Sequence, residues 1–192
     1  MPLRLTRDEK KARTRADLVA AARRVFGRRG FHDASLEEIA AAAGLSTGAV
    51  YSNFSGKEDL FLAVFEDHVD RRIDSTRRAL EVGGSPDQRA RAAADEWMRF
   101  LRTDRDWFPL FIEFWRWALR DPGLRRRFAL RYRRFREANA DFVRALGVEL
   151  PAAEAGIVVT ALADGLALMK LADPRAVPDE LFGDALALLL RR

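Results

Sequence analysis

The chain contains no cysteine and only two histidines, His32 and His68. Without cysteine, neither a disulfide framework nor a thiolate metal site is possible. The two histidines lie far apart in the sequence, and no histidine and glutamate spacing suits a metal ion. No glycine-rich phosphate loop follows a strand pattern, and no catalytic constellation is present. We therefore predict that the chain is not an enzyme and that it holds no cofactor and no metal.

Glycine (12 residues) and proline (7 residues) are sparse and lie between periodic segments, whereas alanine, leucine and arginine dominate. This composition indicates an all-α protein of one or two domains. The N-terminus has no apolar leader segment, and no run approaches the ~18 consecutive apolar residues of a membrane span. We expect a cytoplasmic protein with no membrane partner.

Positive charge is concentrated near the N-terminus. The whole chain carries a formal net charge of +5, and residues 1–56 hold ten Lys/Arg against six Asp/Glu. Cationic side chains near phosphates raise the affinity for nucleic acid and make it salt-dependent. The excess is modest and occurs in many proteins, so it supports a nucleic-acid partner only together with a motif.

The stretch from Ser35 to Lys57 provides that motif, and it reads SLEEIAAAAGLSTGAVYSNFSGK. Ser35 and Glu38 form a capping box, which predicts a helix start. Gly44 ends this short helix, because glycine adopts positive φ without steric strain, and Ser46 caps a second helix. Two short helices joined by a glycine turn predict a helix-turn-helix, whose second helix enters a DNA major groove.

The outward face of the second helix distinguishes this motif from an ordinary helical hairpin. Thr47, Gly48, Ser52 and Asn53 lie on that face, and it carries no acidic residue. A merely solvated face usually carries Glu and Lys, whereas a face that approaches phosphates and base edges needs small residues, hydrogen-bond donors and no negative charge. The pattern therefore favours DNA binding over a helical hairpin.

The segment SLEEIAAAAGLSTGAVYSNFSGKEDLF, residues 35–61, resembles the TetR family of bacterial transcriptional regulators. The family pattern has an Ile-Ala pair, then Ala-Gly-Val/Leu-Ser, then Gly-x-hydrophobic-Tyr, then Phe and Lys, and every point is met. Asn53 departs from it, because many members carry an aromatic residue or histidine there. The resemblance covers about a third of the chain and implies the following DNA-contacting residues: Ser35, Ser46, Thr47, Gly48, Tyr51, Ser52, Asn53 and Lys57.

Two domains follow from the motif and from the pattern of the remaining chain. We predict an N-terminal three-helix helix-turn-helix domain over residues 8–56, with the motif at 35–54. Residues 57–192 are predicted to form a C-terminal helical bundle that binds an effector and dimerises through its last two helices. The Gly83–Pro86 stretch is the clearest linker within this second part.

Aromatic residues cluster between Trp107 and Trp117, where three of the four tryptophans fall. Sequence alone favours a packed core, but ligand cavities are also apolar and aromatic with few polar groups. The family resemblance favours a cavity, because TetR-like proteins usually keep an effector cavity in the C-terminal domain. The candidate cavity residues are Trp97, Phe100, Trp107, Phe111, Phe114, Trp115 and Asn139.

The last two helices carry apolar residues over more than one face, which predicts a dimer interface. The alternative is that they only close the core of the monomer. Ala161 and Gly165 are one turn apart and would let two helices approach closely. The candidate interface residues are Ile157, Ala161, Gly165, Leu168, Leu186 and Leu189.

Together these features predict a sequence-specific regulator that binds a palindromic duplex as a homodimer. We expect a repressor that is released from its operator by a small, largely apolar or aromatic effector. One alternative is a DNA-binding regulator with no effector, and a remote alternative is an all-α enzyme or a protein-interaction module. The sequence does not specify the effector, the operator, the regulated genes or the sign of regulation.

Overall fold

The computed structural model describes residues 6–81, 83–147 and 151–190. Within these ranges it contains nine α-helices and no strand, which confirms the all-α prediction. The helices are α1 (Arg7–Asp33), α2 (Leu36–Ala43), α3 (Thr47–Tyr51), α4 (Lys57–Glu81), α5 (Pro86–Thr103), α6 (Trp107–Ala118), α7 (Pro122–Ala145), α8 (Ala152–Ala172) and α9 (Leu181–Leu190).

Local capping signals set several of these helix starts. Ser35 and Glu38 form the capping box that begins α2. Ser85 and Gln88 form another at the start of α5, where Pro86 occupies the first turn. Each box satisfies two backbone N–H groups that no intrahelical carbonyl can reach.

Helix α1 is interrupted near its C-terminal end by Gly30. This residue has φ 78° and ψ 169°, a conformation that a residue with a side chain rarely adopts. The interruption turns the next residue, Phe31, into the core, where it is almost fully buried. Gly30 thereby sets the direction in which the chain leaves α1.

The helices divide into two compact units. The first contains the described residues up to His68 together with Pro109–Phe128, and the second contains Val69–Phe108 together with the described residues from Ala129 onward. Helices α4, α6 and α7 each contribute residues to both units. The division into a DNA-binding domain (residues 8–56) and an effector-binding domain (residues 57–192) remains a prediction.

The core of the first unit forms between α1, α2, α3, α4 and α6. Leu18, Phe26, Ile39, Val50 and Phe61 are completely buried there. Because α3 is only five residues long, its position depends on Val50 more than on its own hydrogen bonds. This packing holds the short second helix of the motif in place.

The core of the second unit includes close contacts between α5 and α9 and between α7 and α8. The rings of Trp97 and Phe182 pack with centroids 4.7 Å apart. Gly156 lets α8 approach α7, since an added Cβ would lie 2.5 Å from the carbonyl oxygen of Arg136. Burial of these contacts ties the C-terminal helices to the rest of the unit.

Helix α8 is long and apolar enough to cross a membrane by length and composition, contrary to the expectation that no segment would be. The stretch Ala153–Ala172 has mean hydropathy 1.7, and 39% of it is buried. Its buried side takes part in hydrogen bonds to a neighbouring helix: Asn139 of α7 donates a 2.8 Å hydrogen bond to Thr160. Such bonds are those of a helix packed against protein, so the composition is weak evidence for a membrane span.

Candidate nucleic-acid interface and ligand cavity

Helices α2 and α3 and the turn between them form a helix-turn-helix. Gly44 has φ 68° and ψ 29°, and its N–H donates to the carbonyls of Ala40 and Ala41 at the end of α2. The Ser46 side chain then accepts a hydrogen bond from the N–H of Ala49 and begins α3. The glycine is required at this point because its left-handed conformation reverses the chain within three residues.

The outward side of α3 is small, polar and free of acidic groups. Tyr51 is 60% exposed, and Gly48 and Ser52 are also exposed. A Cβ on Gly48 would contact only the hydroxyl oxygen of Ser46, at 3.7 Å. The Ser52 hydroxyl donates to the carbonyl of Gly48 and keeps its oxygen available as an acceptor. This side can therefore approach another surface closely.

The sequence predicted that Asn53 points outward, but in the structure its side chain is half-buried and bonded to the backbone of α3. Its side-chain Nδ2 donates to the Ala49 carbonyl at 2.8 Å, and the residue is half-buried. Arg15 of α1 donates to the Asn53 carbonyl at 3.3 Å and lies over the ring of Phe54. The amide donor is thus engaged in fastening the end of α3, which favours a structural part for this residue.

Lys57 also has an intramolecular role that sequence reasoning missed. Its ammonium donates to the carbonyls of His32 and Ala34 at 2.7 and 3.0 Å. It lies 5.0 Å from the centroid of the Phe31 ring. Two of its three protons hold the chain that enters α2, so a phosphate contact by Lys57 remains a prediction with at most one proton available.

Glu113 of α6 completes the same junction. Its carboxylate accepts hydrogen bonds from the N–H groups of Phe31 and His32 at 3.0 and 2.8 Å. These two N–H groups follow Gly30, where the helical hydrogen-bond pattern has ended. Glu113 is the one acidic residue among the aromatic residues of α6, and this isolation was the only sequence signal of a specific partner.

Three of the candidate cavity residues belong to the aromatic core of the first unit instead. Phe114 stacks on Phe61 with centroids 3.9 Å apart, and Phe111 and Trp115 both pack against Phe128. These rings fill the space between α4, α6 and the start of α7. The prediction that Phe111, Phe114 and Trp115 line an effector cavity is therefore corrected, because their faces are already covered by other rings.

A cavity of about 510 Å³ lies in the second unit. Two candidate residues, Trp97 and Asn139, line it together with apolar side chains from α4, α7, α8 and α9. Trp107 is buried away from this lining, and Phe100 lies beneath Arg72, which does face the cavity. The principal apolar lining residues are Ile73, Leu80, Phe142, Val159, Phe182 and Leu186.

Helix α8 exposes an apolar face. Ile157 and Leu168 are 50% and 52% exposed, and Ala161 and Gly165 lie between them on the same face. Leu189 of α9 is half-buried. Leu186 is only 3% exposed and contributes to the cavity wall, so its prediction as an interface residue is corrected. The wide apolar stripe of α9 reflects core packing at that position.

A part-buried hydrogen bond joins α7 to α8. The Tyr132 hydroxyl donates to the carboxylate of Asp164. Burial raises the pKa of Asp164 to about 6, and the hydrogen bond from Tyr132 opposes that rise. Burial and the neighbouring carboxylate also raise the pKa of Tyr132.

Two family models match the chain. The model described as bacterial regulatory proteins of the TetR family matches residues 18–64, which include the helix-turn-helix. The model described as the C-terminal part of BetI-type transcriptional repressors matches residues 86–191. The second match alone covers more than half of the chain, and it contains most of the unit that holds the cavity.

Curated relatives agree with these matches. The transcriptional activator FasR of Mycolicibacterium smegmatis is 40% identical over 110 residues, which is 57% of this chain and 48% of FasR. The chain thus spans about half the length of that relative. The transcriptional regulator BetI of Escherichia coli is 30% identical over 157 residues, which is 79% of each protein.

Solved structures share the fold. A regulator from Saccharomonospora viridis in complex with choline has a TM-score of 0.69 at 22% identity, covering 91% of this chain and 94% of its own. FadR from Bacillus subtilis in complex with stearoyl-CoA has a TM-score of 0.70 at 16% identity, covering 91% and 97%. The motif, the helical fold and the two family matches agree, and the chain belongs to the TetR family of bacterial transcriptional regulators.

Proposed function

We propose that the chain binds a palindromic operator as a homodimer and represses transcription until a small effector releases it. The observation that carries this proposal is the helix-turn-helix whose second helix exposes a small, polar and non-acidic face. Such a face fits the major groove, where the N-terminal residues of the second helix contact base edges. The BetI-type repressor match supports repression, although the relative FasR is an activator.

Each residue on the exposed side of α3 has a part in the proposed complex. Thr47, Gly48 and Ser52 face the groove. Gly48 allows close approach, the Thr47 hydroxyl can donate or accept, and the Ser52 hydroxyl can accept because its proton is bonded to the Gly48 carbonyl. Tyr51 donates to a phosphate from its exposed position. Ser35 and Ser46, which cap α2 and α3, lie where the backbone of the duplex would pass, and Asn53 and Lys57 support them.

The exposed face of α8 supports a homodimer. Leucine, isoleucine and methionine side chains stay half-exposed along it in the single chain. A second copy covering this face by two-fold symmetry would remove them from water. The dimer would place two α3 helices on half-sites ~34–36 Å apart, which is one turn of the duplex.

The cavity of the second unit supports control by an effector. Its volume of about 510 Å³ is within the range of sites that bind small molecules. The Saccharomonospora viridis and Bacillus subtilis regulators with this fold hold choline and stearoyl-CoA, respectively. An effector that binds better to a state in which the two α3 helices are wrongly spaced for the operator would shift the population towards that state and away from the DNA-bound state. The proposal also places the protein in the cytoplasm, with no membrane partner.

Selection of duplexes from a random pool tests the DNA part of the proposal. We expect enrichment of a palindrome and an affinity that falls steeply with salt. Gly48→Glu should reduce operator affinity by roughly 100-fold or more, because it places a carboxylate against phosphates where the backbone leaves room for a side chain.

Ala129→Glu on α7 is the matched control, since it adds the same charge at an exposed position remote in sequence from the motif. It should leave operator affinity within about twofold. Equal affinities for the two variants, or a pool without any enriched sequence, would contradict recognition by α3.

A further inference from the structure

The cavity of the second unit contains charged side chains as well as apolar ones. Arg77, Arg134, Glu137 and Asp141 lie around it, and each has an ion-pair partner on the surface. The pairs are Arg77 with Asp74, Arg134 with Asp70, Glu137 with Arg133, and Asp141 with Arg144. The charge of these four side chains is therefore compensated without a ligand.

Arg72 differs from the other charged residues of the lining. It is only 8% exposed and comes from the buried side of α4. Its guanidinium lies 4.9 Å from the centroid of the Phe100 ring, and the described part of the chain gives it no hydrogen bond and no ion pair. A buried cation that has neither a hydrogen bond nor an ion pair is unfavourable unless an anion accompanies it.

Glu96 acts on the charge of Arg72 but forms no ion pair with it. Glu96 raises the pKa of Arg72 through its charge, but burial outweighs it and lowers that pKa to about 10. The Glu96 carboxylate accepts a hydrogen bond from Ser75 and forms an ion pair with Arg99 at 2.6 Å. Arg72 therefore remains the charged group of the cavity whose hydrogen-bond donors are open to a ligand.

We propose that the effector is an apolar monocarboxylate and that Arg72 binds its carboxylate inside this cavity. The inference rests on the proposed function, because it identifies the chemical class of the effector. The guanidinium presents paired N–H donors that match the two oxygens of a carboxylate. Ile73, Trp97, Phe142 and Phe182 provide the apolar wall for the rest of the molecule.

The charge count of the lining favours a single negative charge. One unpaired arginine balances one carboxylate, whereas a phosphate dianion would bring a second charge into the cavity without a partner. A cationic ligand would place like charges together beside Arg72. Asn139 lies in the same wall, but its amide nitrogen already donates to Thr160.

Calorimetric titration of the full chain with octanoate, octan-1-ol and octyltrimethylammonium tests this inference. The three probes share an alkyl chain and differ in head-group charge. Octanoate should bind, octan-1-ol should bind roughly 10- to 100-fold more weakly, and octyltrimethylammonium should show no binding. Preference for the ammonium, or equal affinity for octanoate and octan-1-ol, would overturn the inference.

Arg72→Met and Arg134→Met are matched variants at the same cavity. Arg72→Met should weaken octanoate binding by roughly 10- to 100-fold and leave octan-1-ol binding within about threefold. It should not lower the Tm of the unliganded chain, because it removes a buried charge and keeps apolar volume. Arg134→Met removes an exposed, paired arginine and should leave the octanoate affinity unchanged.

Operator binding measured without ligand separates the two proposals. If the operator is bound but octanoate is not, the carboxylate site is overturned and DNA binding stands. If octanoate binds through Arg72 but no duplex is enriched, the site stands and the DNA-binding proposal is overturned. Octanoate affinity that is the same in Arg72→Met and in the unsubstituted chain would overturn the role of Arg72.

Discussion

At the scale of single residues, the junction between α1 and α2 shows that the role of a motif residue depends on its tertiary neighbours. Lys57 follows the motif and resembles a phosphate-binding lysine by sequence. In the structure its ammonium holds two carbonyls, while Glu113 holds the two N–H groups of the same short segment. The Lys57 ammonium thus satisfies backbone carbonyl groups, and the Glu113 carboxylate satisfies backbone N–H groups, where helix α1 is interrupted.

Lys57→Met tests this structural role. The substitution removes the ammonium and keeps most of the apolar stem, so the carbonyls of His32 and Ala34 lose their donor. We expect the free energy of unfolding to fall by roughly 1–3 kcal/mol in urea denaturation. Lys11→Met, at an exposed position of α1, should change it by less than about 0.5 kcal/mol.

Operator binding by Lys57→Met provides a second measurement. A direct phosphate contact would reduce the slope of log affinity against log salt by about one unit. Loss of stability with an unchanged slope would assign Lys57 to the fold alone. Unchanged stability would contradict the role of the two carbonyl contacts.

Asp164 makes stability depend on pH. Burial raises the pKa of Asp164 from 3.8 to about 6 in the folded chain, so the folded state binds this proton more tightly than the unfolded state. The stabilising contribution of the proton is therefore absent above about pH 6 and grows as the pH falls towards 3.8. Asp164→Asn cannot titrate and lacks this contribution.

The test compares free energies of unfolding of the unsubstituted chain and Asp164→Asn at pH 7.5 and pH 5. The unsubstituted chain should gain about 1 kcal/mol relative to the variant at the lower pH. Asp106→Asn, an exposed loop position, is the control for removing one acidic charge. A difference that stays constant with pH would contradict the raised pKa.

At the scale of elements, α7 and α8 pack closely because one residue of the contact has no side chain. A Cβ on Gly156 would lie 2.5 Å from the Arg136 carbonyl oxygen and 2.9 Å from the Cβ of Ala140. Neither backbone nor Cβ can move without shifting the helix to which it belongs. The small residue therefore fixes the separation of two helices, and with it one wall of the unit that contains the cavity.

Gly156→Ala should lower the free energy of unfolding by roughly 1–3 kcal/mol, because the two helices must separate to admit the methyl group. Gly183→Ala in α9 is the matched control. Its Cβ would meet Ala94 and Arg91 at 3.5 Å, which is ordinary contact. That variant should be as stable or gain about 0.5–1 kcal/mol from helix propensity. Equal loss in both variants in thermal unfolding would contradict the close approach.

At the scale of the whole molecule, the proposed homodimer would cover a surface that the single chain exposes. The α8 face between Ile157 and Leu168 exposes apolar side chains that a second copy would cover. Operator recognition in the proposal also needs two reading helices, since one five-residue helix contacts only half of a palindrome. In this proposal, the α8 face that forms the dimer is therefore also needed for operator recognition by α3.

Leu168→Glu should convert a dimer into a monomer, because it places a charge within the proposed interface. Light scattering after gel filtration would show half the mass, with helical circular dichroism unchanged and operator affinity reduced. Leu130→Glu on α7 changes an equally exposed leucine outside that face and should remain dimeric. A dimer that persists in Leu168→Glu would show that α8 does not form the interface.

The amino-acid sequence by itself determined the features that depend on neighbours a few residues apart. The capping box at Ser35, the glycine turn at Gly44 and the small polar side of α3 are local patterns, and α2 and α3 begin in the structure where these patterns predict. The helix-turn-helix was also recognisable as TetR-like from a short run of residues, and the family matches confirm that resemblance.

Only the tertiary structure decided which partner each buried residue has. Helical periodicity marks a residue as buried but cannot say against which element, so Phe111, Phe114 and Trp115 pack in the first unit while Trp97 lines the cavity. The partners of Glu113 lie more than eighty residues earlier in the chain. Arg72 is one arginine among many in the sequence, and its burial beside Phe100 depends on how α4 and α5 pack.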